Sequence, residues 1–394
     1  MALEQLQPAV GRPSAPASDS ELPRARIIAF YLPQFHPIPE NDAWWGHGFT
    51  EWTNVARAKR LYPSHVQPRL PADLGYYDLR VPETRARQAA LAQESGVEGF
   101  CYWHYWFEGR RILERPFEEV RASGQPDFPF CLGWANQSWT GVWHGAADRI
   151  LIQQSYGGEA DARRHFEAVL PAFLDKRYLR VDGRPIFFLH QPRDLPEPRV
   201  FTSRWREWAR AEGLSGIFFL GDGDVGWEPH RYGFDGTVIS NPWRVLRYHA
   251  RSRLDQLSAR VLGGRDAGWL ARRVLGWPAR ISYREVLRHS VVRDPQAYEY
   301  PSVLPNWDNT PRSGRDGLVI TGSAPELFAR HLDDAIASVE SRPREHRLVF
   351  LKSWNEWAEG NFVEPDAHHG HGYLHAIRRT QFALHAARRA PRGA

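Results

Sequence analysis

Eight short apolar runs recur along the 394 residues, each ending in polar or aromatic residues, and this repetition limits the folds open to the chain. They are Ile27–Leu32, Val97–Tyr102, Phe128–Trp134, Pro185–His190, Gly216–Leu220, Gly236–Ser240, Tyr300–Pro305 and Arg347–Trp354. Helix-like stretches lie between them at Thr84–Ser95, Glu159–Leu174, Ser203–Glu212 and Pro325–Glu340. Strands alternating with helices make parallel βαβ units, and eight of these predict an α/β fold of the (β/α)8 barrel type. A doubly wound open sheet is the competitor. It would collect polar residues at one switch point, whereas a barrel collects them at the C-terminal ends of many strands. Here the run ends carry Tyr31 and Gln34, His104 and Tyr105, Trp134 and Asn136, His190 and Gln191, Asp222, Asn241, Trp307 and Asp308, and Asn355, Glu356 and Glu359. The barrel is the better reading.

Two excursions interrupt the pattern. Residues 33–77 follow the first strand, are dense in Trp, Gly, His and Pro, and are too long for an ordinary connection, so they read as an active-site loop. The segment Arg244 to Arg293 follows the sixth strand and carries twelve Arg against three acids, a net +9. The whole chain is only +5, so the remainder is about −4 and the basic character belongs to this insertion. Its Leu262, Trp269, Leu270, Val274, Leu275 and Trp277 fit one face of a basic amphipathic helix pair. Such a face suits an anionic glycan, a lipid-linked carrier or a membrane surface, and it equally suits a solvated insertion with no partner.

Residues 1–23 are rich in Pro, Ser and Ala without an apolar core, which reads as a disordered leader rather than a secretory signal, with 24–394 as one catalytic domain. No run approaches the length of a membrane-spanning helix. Cys101 and Cys131 sit in apolar runs without disulfide or metal spacing and are expected to be buried thiols. A cytoplasmic location follows as an expectation.

The chemistry concentrates near the C-terminus, where Leu348–Leu351 runs into Lys352-Ser353-Trp354-Asn355-Glu356-Trp357-Ala358-Glu359-Gly360. Two carboxylates beside aromatic platforms are the minimum equipment for breaking a glycosidic bond. On a helical turn an i, i+3 pair shares one face, with Cβ atoms roughly 5–6 Å apart. The plain alternative is an acidic pair at a helix start, where the dipole favours acids. The 17 Trp, 14 Tyr and 20 Phe, many beside polar residues, suit sugar rings with apolar faces and hydroxyl rims. They also suit stacked bases, which keeps single-stranded nucleic acid in view as an outside reading.

Other signals weigh less. Gly221-Asp222-Gly223-Asp224-Val225-Gly226 matches the dinucleotide fingerprint, but Trp227-Glu228-Pro229 does not open the helix that such a site needs. His368-His369-Gly370-His371 lacks a paired carboxylate or Cys at metal-site spacing and reads as a surface loop near the rim. His104 suits a structural histidine and a sugar contact equally. Glu51 is either a third pocket acid or the partner of an arginine.

Several stretches together resemble the WbsX-type proteins, which are similar to glycoside hydrolase family 99. They are Ala29-Phe30-Tyr31-Leu32-Pro33-Gln34-Phe35-His36-Pro37, Trp45-Gly46-His47-Gly48-Phe49-Thr50-Glu51-Trp52-Thr53-Asn54-Val55, Gly99-Phe100-Cys101-Tyr102-Trp103-His104-Tyr105-Trp106, Leu132-Gly133-Trp134-Ala135-Asn136, Trp354 to Gly360, and Glu364-Pro365-Asp366. The resemblance implies a (β/α)8 barrel and retaining chemistry on a glycan. It implies that Glu356 deprotonates a sugar 2-hydroxyl to give a 1,2-anhydro intermediate and that Glu359 acts as acid, then base. No cofactor is needed for such a mechanism. Acid duty would require a raised pKa at Glu359, plausible beside Trp357 and a second carboxylate. Tyr31 matches an aromatic that contacts sugar in that family. The expected substrate-binding set is Tyr31, Gln34, Glu51, Trp52, Tyr102, His104, Trp134, Asn136, Asn241, Trp307, Asp308, Asn355 and Trp357.

The expected function is a retaining glycoside hydrolase or transglycosylase acting on a bacterial surface polysaccharide or its precursor. A sugar-nucleotide glycosyltransferase is the first rival, although no nucleotide or metal-diphosphate site is visible in the sequence. A non-catalytic glycan-binding barrel is the second.

Overall fold

The computed structural model describes residues 22–141, 146–239, 275–290 and 294–382. Eight parallel strands close on themselves in sequence order: β1 (Arg26–Tyr31), β2 (Gly99–His104), β3 (Phe130–Trp134), β4 (Arg184–Leu189), β5 (Phe218–Gly223), β6 (Gly236–Ile239), β7 (Glu299–Val303) and β8 (Leu348–Leu351). The pairing of β8 with β1, Arg26 opposite Leu348, closes the (β/α)8 barrel. All eight predicted runs are strands, with ends displaced by only a few residues.

Helices α3 (Pro82–Ser95), α4 (Arg115–Ser123), α5 (Gly158–Phe173), α6 (Pro198–Ala211), α9 (Pro325–Val339) and α10 (Gly372–Gln381) form the described part of the outer layer. The first loop carries α1 (Pro39–Trp45) and α2 (Glu51–Arg57), and α7 (Tyr283–Ser290) and α8 (Thr310–Ser313) flank β7. Between β5 and β6 the helix is replaced by a single 3-10 turn, Pro229–Tyr232. The glycines before it serve packing: a Cβ on Gly221 or Gly223 would lie 2.7 Å from the Trp227 ring.

The register fixes which side chains face the barrel axis. Paired residues of parallel strands point the same way, and successive residues alternate. Phe30, Phe188 and Phe350 meet across the interior, with ring centroids 5.0 Å (Phe30–Phe188) and 5.7 Å (Phe30–Phe350) apart. Continuing that parity up each strand brings Trp103, His190, Asp222 and Lys352 to the axis at the C-terminal mouth. The opposite parity, which includes Tyr31, Tyr102, His104 and Trp134, faces the helices.

The expected single long loop is built more regularly than its composition suggests, with α1 and α2 inside residues 33–77. Residues 244–274 and 291–293 of the Arg-rich insertion lie outside the described residues, and with them most of the expected amphipathic helix pair; in the described part, Ala279–Ser282 is a strand paired in parallel with Leu318–Thr321 and is followed by α7. Arg280 lies over the Trp277 and Tyr62 rings at 4.6 and 5.0 Å, which ties this segment to the first loop.

Trp205 of α6 anchors the layer between barrel and helices. It is fully buried among Phe187, Phe201, Phe219 and His165. Trp205→Ala should lower unfolding stability by about 3–5 kcal/mol through the cavity left behind. Denaturant unfolding reads this directly, and an unchanged midpoint would contradict the packing role.

Candidate active site

The turn after β8 is held on three sides. Trp354 N–H donates to the Phe30 carbonyl at 2.8 Å, and the Asn355 side chain brackets Leu32, accepting from its N–H at 2.8 Å and donating to its carbonyl at 3.1 Å. Asn355 and Glu356 then pair antiparallel with Phe362 and Asn361. Between them Trp357–Glu359 forms one 3-10 turn, whose three-residue period stacks Glu356 and Glu359 on one edge. Gly360 ends the turn in the left-handed region at φ 58°, where a Cβ would stand 2.8 Å from the Asp308 backbone nitrogen. That contact is close because Asp308 N–H donates to the Glu359 carbonyl at 2.7 Å.

Arg312 of α8 is the hub of the carboxylates. Its guanidinium donates to Glu359 Oε1 at 2.6 Å and to Glu51 Oε1 at 2.7 Å, and the Ala358 N–H reaches the same Glu51 oxygen at 3.0 Å. Glu356 lies on the other side, its Oε1 accepting from the Trp103 indole N–H at 3.0 Å. Three carboxylates therefore share one guanidinium, and the shortage of positive charge is met by a proton. Burial pushes the Glu359 carboxyl up, Arg312 opposes it and Glu356 adds to it, leaving it at about 8. Burial also raises Glu51, against the pull of Arg312 and the Ala358 N–H. Burial would strip the Arg312 proton, but Glu51, Glu359 and Glu356 outweigh it. The Tyr105 hydroxyl is held un-ionised, first by burial and then by Glu356.

Behind this turn sits a second carboxylate system. Glu364 is buried and accepts at Oε1 from Gln88 Nε2 (2.6 Å) and Trp354 Nε1 (2.9 Å), and at Oε2 from the Tyr77 hydroxyl (2.9 Å) and Trp357 Nε1 (2.6 Å). Burial raises its carboxyl to about 7 while the four donors pull it down. Two indoles and an amide NH2 can only donate, so three of the four partners favour the ionised form, and only the Tyr77 hydroxyl can accept from a carboxylic O–H. The two tryptophans flanking Glu356 are thus moored to one buried charge.

The structure brings Glu51, Glu356 and Glu359 together at the mouth, with Glu51 buried and paired to Arg312. Gln34 is half-buried and its carbonyl receives the Glu51 N–H at 2.9 Å. The remaining expected sugar contacts mostly have structural partners. Tyr31 is buried on the helix side, donating to Gln88 Oε1 at 2.6 Å, and Tyr102 packs against it and Phe117. His104 shares a proton with His165 of α5 at 2.9 Å, and Trp134 packs edge-on against that same His165. Asn136 clasps the backbone of Gln191 at 2.8 Å on both its amide atoms. Trp52 donates to the Tyr77 carbonyl at 2.8 Å, and Trp357 stacks on Phe362 at 3.7 Å. Asp308 is buried and receives His65, Gln67 and Thr310; burial raises its carboxyl, but those hydrogen bonds outweigh it and hold it low. Trp307 is buried beside Ile281, Tyr283 and Leu304. Asn241 lies outside the described residues.

Trp103, Arg312, Lys352, Gln88 and the role of Glu364 were not singled out by sequence reasoning. The signal for Trp103 was strand parity: it is the next inward residue after Cys101, whereas Tyr102 and His104 point out. Arg312 had no local signal, since its partners lie 47 and 261 residues away. The histidine tract is a turn capped by Asp366, whose Oδ1 accepts from His368 N–H at 2.8 Å, with His371 Nε2 2.7 Å from Asp73.

Fold and site together define a (β/α)8 barrel with a carboxylate cluster at its C-terminal mouth. The chain belongs to the family described as glycosyltransferase WbsX, whose model matches residues 27–377. Two curated relatives from Xanthomonas campestris pv. campestris, each described as uncharacterized protein WxcX, are 40% identical over 368 residues. The match covers 90% of this chain and 49% of theirs, so the chain spans about half the length of the curated relatives it matches. Among solved structures, a glycoside hydrolase-like protein superposes with a TM-score of 0.55 at 14% identity, over 94% of this chain and 97% of that one. The endo-α-mannosidase of family GH99 from Bacteroides thetaiotaomicron gives 0.48 at 15% identity, over 91% of this chain and 96% of that one.

Glu364→Gln would set a donor against donors, and it should destabilise the fold by about 1–3 kcal/mol. Thermal unfolding checks this, and near-ultraviolet circular dichroism should report loosened tryptophans. Arg312→Met should raise the cost of ionising Glu51 and Glu359 together, so its stability should fall more steeply than wild type as pH rises from 5 to 8. Parallel pH–stability curves would contradict the hub.

Proposed function

We propose that this protein is a carbohydrate-active enzyme that cleaves or transfers glycosyl units with retention, using Glu356 and Glu359. The observation that carries this reading is the pairing of one carboxyl protonated near neutrality, Glu359 at about 8, with a second carboxylate three positions earlier on the same turn edge. A carboxyl held protonated by its surroundings, next to a second carboxyl group, is a usual sign of divided acid and base roles. The residues 24–394 are read as one catalytic unit, and the glycan is read as a bacterial surface polysaccharide or its oligosaccharide precursor.

The chemistry balances on these two groups. Glu356 takes the proton of the sugar 2-hydroxyl as O2 attacks C1, and Glu359 gives its proton to the departing glycosidic oxygen. The product of that half-reaction is a 1,2-anhydro sugar and a free leaving group. Glu359, now ionised, deprotonates water or an acceptor hydroxyl, which opens the strained ring at C1 while Glu356 returns its proton to O2. Two inversions give retention. Whether the outcome is hydrolysis or transfer depends on which hydroxyl enters, and the same residues serve both. Arg312 tunes the acid: paired to Glu359, it keeps the proton transferable, while Glu51 draws part of its charge.

The family description favours a second reading, transfer from a nucleotide sugar. A product screen separates the two. Purified protein is incubated with bacterial polysaccharides and lipid-linked oligosaccharides, with and without nucleotide sugars, beside Glu356→Gln and Glu359→Gln. New fragments or rearranged glycans from wild type alone, without nucleotide sugar, are expected. Each variant should lose about 10²–10⁴ in rate. Activity only with a nucleotide sugar would overturn the retaining mechanism. For the active enzyme, kcat/KM should fall as pH rises through about 8, because Glu359 must be protonated to act first.

A further inference from the structure

Tyr105 is a buried polar group at the mouth that the two glutamates do not use. It lies just beyond β2, two residues after the inward-facing Trp103, and is 8% exposed. Apolar neighbours fix its ring. It packs edge-on against Trp139 at 5.3 Å, Trp139 leans on Trp44 of α1 at 5.8 Å, and Phe107, Ile112 and Leu113 belong to the same cluster. Trp103 packs against this cluster too, and its indole N–H holds Glu356 Oε1 at 3.0 Å, so one tryptophan links Tyr105 to Glu356. Other enclosed tyrosines donate within the fold: Tyr31 to Gln88 at 2.6 Å, Tyr77 to Glu364 at 2.9 Å and Tyr283 to the Leu304 carbonyl at 2.5 Å. The Tyr105 hydroxyl has no such partner among the described residues. A buried phenol O–H usually finds one. Burial keeps this one un-ionised, and the charges that bear on it are those of Glu356, Arg312, Glu51 and Glu359, in that order. It is therefore a neutral donor turned to the carboxylate cluster and left open there.

We infer that Tyr105 is a further substrate-contacting residue, its hydroxyl donating to the C3 oxygen of the sugar whose 2-hydroxyl Glu356 serves. This rests on the glycan reading above and deepens it. In that reading the reacting C1 lies between Glu356 and Glu359. Tyr105 answers first to Glu356 and last to Glu359, so it stands on the side of the sugar away from the departing group. The oxygen next to O2 on that side is the one on C3. It can accept a hydrogen bond whether it is a free hydroxyl or a glycosidic link. Two fixed points, O2 at Glu356 and O3 at Tyr105, set the rotation of the ring and hold O2 in line with C1. Tyr105 moves no proton and stays a phenol throughout. The cluster behind its ring keeps the donor aimed before the sugar arrives, which is what preorganised positioning requires. The contact selects for a pyranose with oxygen at both C2 and C3.

The test uses the full chain and steady-state turnover without nucleotide sugar. The substrates are the glycan that wild type processes in the product screen, the para-nitrophenyl glycoside of the same sugar, and the 3-deoxy analogue of that glycoside. Tyr105→Phe keeps the ring and removes only the hydroxyl. It should lower kcat/KM about tenfold on the first two substrates. The unfolding midpoint and the fall of kcat/KM through about pH 8 should stay in place, since neither packing nor charge is removed. The 3-deoxy analogue should cost wild type a similar factor and cost the variant nothing further. The deoxy arm leaves the protein unmutated, so a misfolded variant cannot mimic the result. Undiminished turnover by Tyr105→Phe, or losses from variant and analogue that multiply, would overturn the contact. A loss that comes with a lowered unfolding midpoint would overturn it too, in favour of a packing role. Any of these beside an active wild type removes only this contact and leaves the parent reading standing. Wild type that turns over neither glycan nor glycoside overturns the parent reading, and the contact with it.

Discussion

Glu364 is a buried carboxylate whose hydrogen-bond partners among the described residues are four neutral donors. A charge so placed is tolerable only while all four stay in position, since each unsatisfied group in a low-dielectric interior costs on the order of 1–3 kcal/mol. The donors come from separate parts of the chain: Tyr77 from the end of the first loop, Gln88 from α3, and Trp354 and Trp357 from the turn after β8. One buried charge therefore sets the relative position of the first βα connection and the last. The turn edge bearing Glu356 and Glu359 inherits that rigidity. Two carboxyl groups this close in a low-dielectric mouth are sensitive to small displacements, because these change their coupling.

Arg312 adds a second constraint of opposite character. It joins Glu51 of the first loop to Glu359 of the last turn, and Asp308, whose Oδ1 accepts the Thr310 N–H at the start of the same helix, binds the Glu359 carbonyl through its backbone N–H. The three elements close a ring around the Glu359 carboxyl. Because the guanidinium is shared, no carboxylate there is fully compensated. Burial raises the Glu359 carboxyl, and a guanidinium shared with Glu51 opposes that only in part, so Glu359 keeps its proton near neutrality. Stability and reactivity are divided between the two systems: Glu364 is saturated with donors, whereas Glu359 is left short of them.

Much of the fold was legible in the sequence because the barrel needs only recurring apolar runs, and all eight are present. That Glu356 and Glu359 share one turn was legible because they are close in sequence. Sugar contacts were harder. Tyr31, Tyr102, His104 and Trp134 sit at strand ends, as expected, but one residue out of phase with the interior, and in a strand a shift of one reverses the face. Trp103, the neighbour of two of them, is the residue that reaches Glu356. Asn136 and Asn355 read as ligand contacts and are backbone staples, a use that any residue with both a donor and an acceptor can take. Arg312 and Glu364 act through partners that only tertiary structure brings near.

The division of labour between Glu356 and Glu359 is the central claim, and leaving-group dependence probes it most directly. The measurement is turnover of Glu356→Gln and Glu359→Gln on an aryl glycoside whose phenolate departs without a proton, compared with the natural glycosidic bond. The account predicts that the first half-reaction of Glu359→Gln recovers on the activated substrate, seen as a burst of released phenolate, while Glu356→Gln stays inactive on both. Equal recovery by both variants, or a burst from Glu356→Gln alone, would contradict the assignment.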